Sequence, residues 1–167
     1  MRAAVTEYFE TADLEFVGKV FRARPEILPE DAYEKNMFNE AVQSADGSSA
    51  VLVVNLPDDM RQRKADTGRG AVNDQQTFKI ALEVYFACSS GEALAAQEDY
   101  DTVIDGITNL IRANANLGNP SAVWSAGEYE NGIKHEQAQP YTDDDGVTVF
   151  ILGTVEFDAM QWIAGPV

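Results

Sequence analysis

The sequence predicts an α+β domain: a mostly antiparallel sheet of about four to five strands, covered by a long helix and a short N-terminal helix. Three stretches carry this expectation. From Thr77 to Cys88 the side chains alternate, with Phe78, Ile80, Leu82, Val84, Phe86 and Cys88 on one face. Thr77, Lys79, Ala81, Glu83, Tyr85 and Ala87 fall on the other, which is the period of a half-buried strand. Next, Tyr100, Val103, Ile104, Ile107, Leu110, Ile111 and Leu117 recur at helical spacing. A capping box from Ser89 to Glu92 precedes them, and Gly118 follows as a residue suited to a left-handed helix end. Finally, Val147, Val149, Ile151, Val155 and Phe157 share one face of a late strand, interrupted by Gly153, while Phe150 and Leu152 make its second face apolar, as in a central strand. The apolar helix face and the apolar sheet face are natural partners.

The remaining elements follow in order. Arg2 to Phe9 reads as a short helix with Val5, Tyr8 and Phe9 as its stripe. Glu15 to Phe21 reads as a strand with both faces apolar. Arg22 to Leu28 has no period, and Pro25 and Pro29 punctuate it. Glu30 to Val42 holds a helical turn or two through Tyr33, Met37, Phe38 and Val42. Asp46 to Ser49 is a turn, and Val51 to Leu56 is a strand ended by Pro57. Residues 58–76 are polar, contain glycine and lack a period, so they read as a long loop. After the long helix, Asn119-Pro120 turns the chain, and Ala122 to Glu130 returns as a strand bearing Trp124 and Tyr129. Asn131 to Gly146 is polar with two turn signals. Met160, Trp162 and Ile163 close the chain with apolar groups that dock on the domain or on a partner. Connection lengths favour antiparallel pairing of 51–56 with 72–88 and of 122–130 with 147–157.

Length and composition set the class. The 167 residues, 45% hydrophobic, suit one domain over 1–167 with a real core. No apolar run is long enough to span a membrane. Glu7 and Glu10 stand where an export signal would be apolar. Twelve Lys and Arg against 28 Asp and Glu give a net charge of -16. Such a surface repels phosphate backbones, which makes the chain a poor candidate for holding nucleic acid by attraction; it suits either plain solubility or a channel through which DNA slides.

Reactive groups are sparse. The single histidine, His135, sits beside Glu136, and neighbours on an extended chain point apart, so the pair does not converge on an ion. Cys88 lies on an apolar strand face, far from the loop expected to carry His135, which speaks against a nucleophile–base dyad. Asp143-Asp144-Asp145-Gly146 lacks the alternating ligands of a calcium loop and reads as a hairpin turn. Thr67-Gly68-Arg69-Gly70 lacks the residues of a phosphate loop. Glu98, Asp99, Asp101 and Asp105 read as a solvated helix face. No catalytic, cofactor or metal residue is assigned, and no cofactor is expected. What stands out is Arg61, Arg63, Lys64 and Arg69, a third of the positive charge within one loop. That loop is either a hairpin tip or a basic arm that docks on an acidic neighbour, including another copy of the chain.

The layout resembles a known family. The strand FKIALEVYFACSS, the segment GEALAAQEDYDTVIDGITNLIRANANLG, VWSAGEY and the late VTVFILGTVEFDAMQW are similar in order to the tail terminator (tail completion) proteins of long-tailed bacteriophages. The D-x-V-x-D-x-I run at Asp101 to Ile107 is part of that likeness. The resemblance implies a structural virion protein without enzymatic activity or cofactor. It is expected to be made in the host cytoplasm and to form a hexameric ring at the head-proximal end of the tail. There it would end polymerisation of the tail tube protein and offer its other face to a neck or head-completion protein. DNA would pass through without specific binding, and no membrane is involved. Arg61, Arg63, Lys64 and Arg69 are then expected at a subunit boundary or on the tube-facing side. A neck or head-closure protein of the same virion is one alternative. An acidic dimeric secretion chaperone is another, but a chaperone needs an exposed apolar groove, and the sequence offers no clear second apolar helix face.

Overall fold

The structure is a computed structural model describing residues 2–22, 30–44, 47–55, 62–66, 73–118, 124–127, 132–144 and 146–164. Along the chain the elements are α1 (Arg2–Thr11), β1 (Val17–Phe21), α2 (Glu30–Ser44), β2 (Ser48–Asn55), β3 (Gln62–Asp66), β4 (Asn73–Cys88), α3 (Ala93–Ala113), β5 (Trp124–Gly127), β6 (Lys134–Gln137), β7 (Tyr141–Thr142) and β8 (Val149–Ala164). They form the expected α+β fold. Its sheet runs β1-β2-β4-β8-β5, with β3 also on β4, and β6 and β7 also on β8. Among the described residues only β1 and β2 pair in parallel; the other pairs are antiparallel.

Alternation decides which side chain meets which layer. Leu52, Val54, Ile80, Leu82, Val84, Phe86, Ile151, Val155 and Phe157 face one way. Val5 and Phe9 of α1 pack on them, with Tyr100, Val103, Ile107 and Ile111 of α3. Each such buried side chain contributes about 1.5–3 kcal/mol. On the opposite face, Val51, Val53, Tyr85 and Ala87 meet Tyr33, Met37, Phe38 and Ala41 of α2. Phe38 makes edge contacts with Tyr85 and Phe150, at 5.4 and 5.1 Å between ring centroids.

Several expectations need correction. The helical turn or two at Glu30 is a 15-residue helix that covers the second sheet face. Its stripe at Tyr33, Met37, Phe38 and Ala41 is also the second apolar helix face that the sequence did not reveal, and it is spent on the protein's own sheet. From Ile80 to Cys88 this strand is therefore buried on both sides, including Glu83 at 8% exposure. Among the described residues the sheet has eight strands: besides β3, the polar stretch adds β6 and β7, which pair with β8 while their side chains stay exposed. The long polar loop contains β3, laddered to the start of β4 from Gln62↔Thr77 to Asp66↔Asn73. Val147 lies ahead of the last strand and is exposed. Met160 to Ile163 belong to β8, paired with Thr77 to Asp74. Residues 119–123 and 128–131, with Tyr129, lie outside the described residues, as do 23–29.

Both ends of α3 differ from the sequence signals. Glu92 is the N-cap and has no side-chain capping bond; its N–H is instead donated to Ser90 Oγ at 3.4 Å. The helix ends at Ala113, and Asn114 organises the following turn by accepting from Asn116 N–H at its side chain and from Leu117 N–H at its carbonyl. Gly118, at φ +75°, ends that turn beneath Tyr8, whose ring leaves no room for a Cβ.

Gly153 interrupts the alternation of β8 for a packing reason. A Cβ at this position would lie 1.7 Å from the Tyr100 hydroxyl, which fills the space above the strand. Gly153→Ala is therefore expected to destabilise the fold by about 2 kcal/mol, measured by urea denaturation. Adding Tyr100→Phe should recover part of the loss; an unperturbed Gly153→Ala variant would contradict this packing.

Candidate functional site

β4 and β8 pair along their whole length. The ladder runs on from Lys79↔Asp158 to Asn73↔Ala164, with β3 on one side and β5 on the other. The result is a ribbon that extends the sheet along its own strand direction. Of the four cations singled out in the sequence, Arg63 and Lys64 lie on β3, opposite Gln76 and Gln75. Arg61 and Arg69 lie outside the described residues.

The α2 side of the sheet changes character toward this ribbon. The apolar set is interrupted by Glu83, whose carboxylate accepts from Tyr85 Oη at 3.1 Å, Asn55 Nδ2 at 3.3 Å and Tyr33 Oη at 3.4 Å. These donors satisfy a charge that burial would otherwise penalise. Beyond the buried Ala81 on the same face, Lys79 Nζ pairs with Glu156 at 2.5 Å, and this hydrogen bond raises the lysine pKa above 10.5. The sheet thus passes from a packed face to a charged one.

A second feature lies at the sheet's β1 edge. β1 pairs with β2 on one side, and among the described residues no strand pairs with its other side. The link from α1 is tight: Asp13 and Phe16 take positive φ, and Val17 N–H is donated to Leu14 O. This turn leaves a cleft between α1 and β1 lined by the apolar Phe9, Leu14, Val17 and Val20 together with Glu10, Asp13 and Lys19. Nothing in the sequence pattern singled it out, although Glu7, Glu10, Asp13 and Glu15 form a visible acidic run there.

The discounted groups are accounted for. His135 stands on β6 rather than in a loop, with Nε2 2.8 Å from the Tyr100 hydroxyl. Beside this contact Gln97 and Gln137 exchange hydrogen bonds at 2.8 and 3.1 Å, so side chains tie β6 to α3. Cys88 is buried with Sγ 3.0 Å from Ser90 Oγ. It pairs with Val149 whereas His135 pairs with Val155, about 20 Å apart along β8. Asp143 caps its turn by accepting from Val147 and Thr148 N–H, which lowers its pKa. Asp99 departs from the solvated face of α3 and accepts from Ser48 Oγ at 2.5 Å. Among the described residues, no group of three or more His, Cys, Asp or Glu is placed to hold a metal. Among them also, no helix is long and apolar enough to cross a membrane.

No family model matches the chain, and no curated protein matches it. Among solved structures, a chain of the virion of a native gene transfer agent particle is similar over 98% of this chain and 95% of that chain, at 13% identity and a TM-score of 0.36.

The Tyr100–His135 contact has a pH signature. Burial of part of the ring lowers the His135 pKa below 6.5, and the Asp101 charge offsets this in part. Its stability contribution is therefore complete above the unfolded value and is lost as pH falls through the depressed folded one. Between about pH 7.5 and 5.5 the unfolding midpoint should drop more for the natural chain than for His135→Gln. Equal drops would show that the contact does not titrate.

Proposed function

We propose that this protein is a structural, non-enzymatic subunit of a phage-like virion, acting as the terminator of a tail. In this role copies close into a hexameric ring on the last ring of the tail tube and stop its growth. The opposite face of the ring meets the neck. The observation that carries this reading is the strand β3, which places Arg63 and Lys64 beside the start of β4 in a chain of net charge -16. A basic strand in an acidic chain suits contact with a different, acidic surface, and repetition of such a contact between identical copies closes a ring. The element order that resembles tail terminators is present in the fold: a short first helix, β2 ahead of Pro57, then β4, α3 and the long β8.

The chemistry of the task is steric and electrostatic. Ending a polymer needs a face that fits its last ring and a second face that does not repeat it. The acidic balance keeps a passing DNA backbone from adhering to the bore. A neck or head-closure subunit would share these features. A client-binding chaperone is less well supported, because the apolar face of α2 is buried on the sheet.

The experiment is growth of tail tubes from purified tube protein, with lengths measured by electron microscopy. Adding this protein should stop elongation at one end. The variant with Arg61, Arg63, Lys64 and Arg69 all changed to Glu should leave tubes growing. Capping unaffected by the fourfold reversal would refute a role for the basic arm, and no capping by the natural chain would refute the terminator reading.

A further inference from the structure

We infer that the end of the sheet where β2 and β8 begin and β4 finishes docks the basic, apolar-centred surface of a different protein. The inference deepens the virion reading by naming one of the chain's two contact faces, and it rests on that reading only for which component supplies the partner surface.

The ladders define this end. Ser48 opposes Cys88, and Cys88 opposes Val149. α2 finishes at Ser44 just before β2, and α3 starts at Ala93 just after β4. β7 lies against Val149 and Phe150, and β1 enters beside Ala50. The connections are held to one another. Ser89 N–H is donated to Gly47 O at 3.1 Å, and a Cβ on Gly91 would lie 3.4 Å from Val147 O.

The large apolar side chains that the described residues leave exposed all fall at this end. They are Val42 in the last turn of α2, Leu94 in the first turn of α3, Tyr141 on β7 and Val147 ahead of β8, at 45%, 74%, 50% and 53% exposure. Single exposed apolar residues scattered over a surface are ordinary, whereas their collection at one end marks a contact face. They are also firmly presented. The Tyr141 ring packs against Phe38 and Phe150 at 5.8 and 5.3 Å between centroids, and Val147 N–H is donated to Asp143 Oδ1 at 2.9 Å.

The charge at this end has one sign. Residues 11–16, 42–49, 89–95 and 138–148 contain no Lys or Arg. Asp13, Glu15, Glu92 and Asp144 are exposed there. Lys19, further along β1, is paired with Glu40 at 2.8 Å. Acids alone would serve solubility, but exposed apolar groups among them do not. Charge complementarity therefore selects a partner that is basic around an apolar centre. The same charge rules out the other occupants. Two copies meeting through this end would set acid against acid, and phosphate backbones and anionic lipid surfaces are repelled.

The probe is a synthetic amphipathic helix of leucine and lysine, and the readout is the amide NMR spectrum of the whole chain at low salt. Shifts should centre on Val42, Leu94, Tyr141 and Val147. Binding should weaken at least about tenfold in Leu94→Ser with Val147→Ser, and again in Glu92→Gln with Asp144→Asn. Glu98→Gln with Asp105→Asn, on the solvated face of α3, should bind as the natural chain does. Circular dichroism checks that each variant folds. Shifts spread along the acidic face of α3, unchanged binding by the serine variant, or no binding by the natural chain would overturn the inference. A second arm uses cosedimentation with tail tubes and with tailless heads. Loss of binding to one of them in the same two variants would support this end as the contact face. Peptide binding at this end, with neither tubes nor heads bound by the natural chain, would uphold the face while removing the tail reading.

Discussion

The antiparallel ladder between β4 and β8 is the constraint on which the rest of the molecule depends. Both strands have 16 residues and pair without a register break from one end to the other. Because the side-chain period is two, one register fixes which residues reach α3 and which reach α2. A slip by one residue would turn Leu82, Val84 and Phe86 toward α2 and put Glu83 under α3. The remaining strands are placed by this pair. β2 and β3 share one edge of β4, while β5, β6 and β7 divide one edge of β8.

The elements most legible in the sequence are those whose apolar period is unbroken. β4, β8 and α3 read clearly because their side chains repeat at two or at 3.6 residues. α2 was underestimated because its stripe is short and interspersed with polar residues, and only the second sheet face gives that stripe a partner. β6 and β7 were illegible for a different reason: they exist through backbone bonds to β8, and exposed side chains carry no period. The capping box at Ser89 misled because local signals offer an N-terminus that the tertiary structure places later. Gly153 was visible as a break, but the cause of the break, the Tyr100 hydroxyl, comes from another element.

The candidate surfaces were legible in proportion to their dependence on charge. Four cations in one polar segment were visible at once, and two of them lie on an edge strand. That they stand on a strand was hidden, since Gln75 and Gln76, which pair with them, give no alternating signal. The cleft was hidden more completely. Its floor and rim come from a helix end, a turn with two positive φ values and a strand edge, each of which reads separately as ordinary structure.

Under the proposed function the chemistry of this chain is placement, carried by a packed body, an acidic balance of charge and a basic strand on the sheet. The most direct measurement is a cryo-electron microscopy reconstruction of the head-proximal end of tails that contain the protein. The account predicts a closed ring of copies there, with the β3–β4–β8 ribbon of each copy lodged against its neighbour and carboxylates lining the bore. A reconstruction that finds the protein elsewhere in the particle, or finds the ribbons free in solvent with no contact between copies, would contradict it.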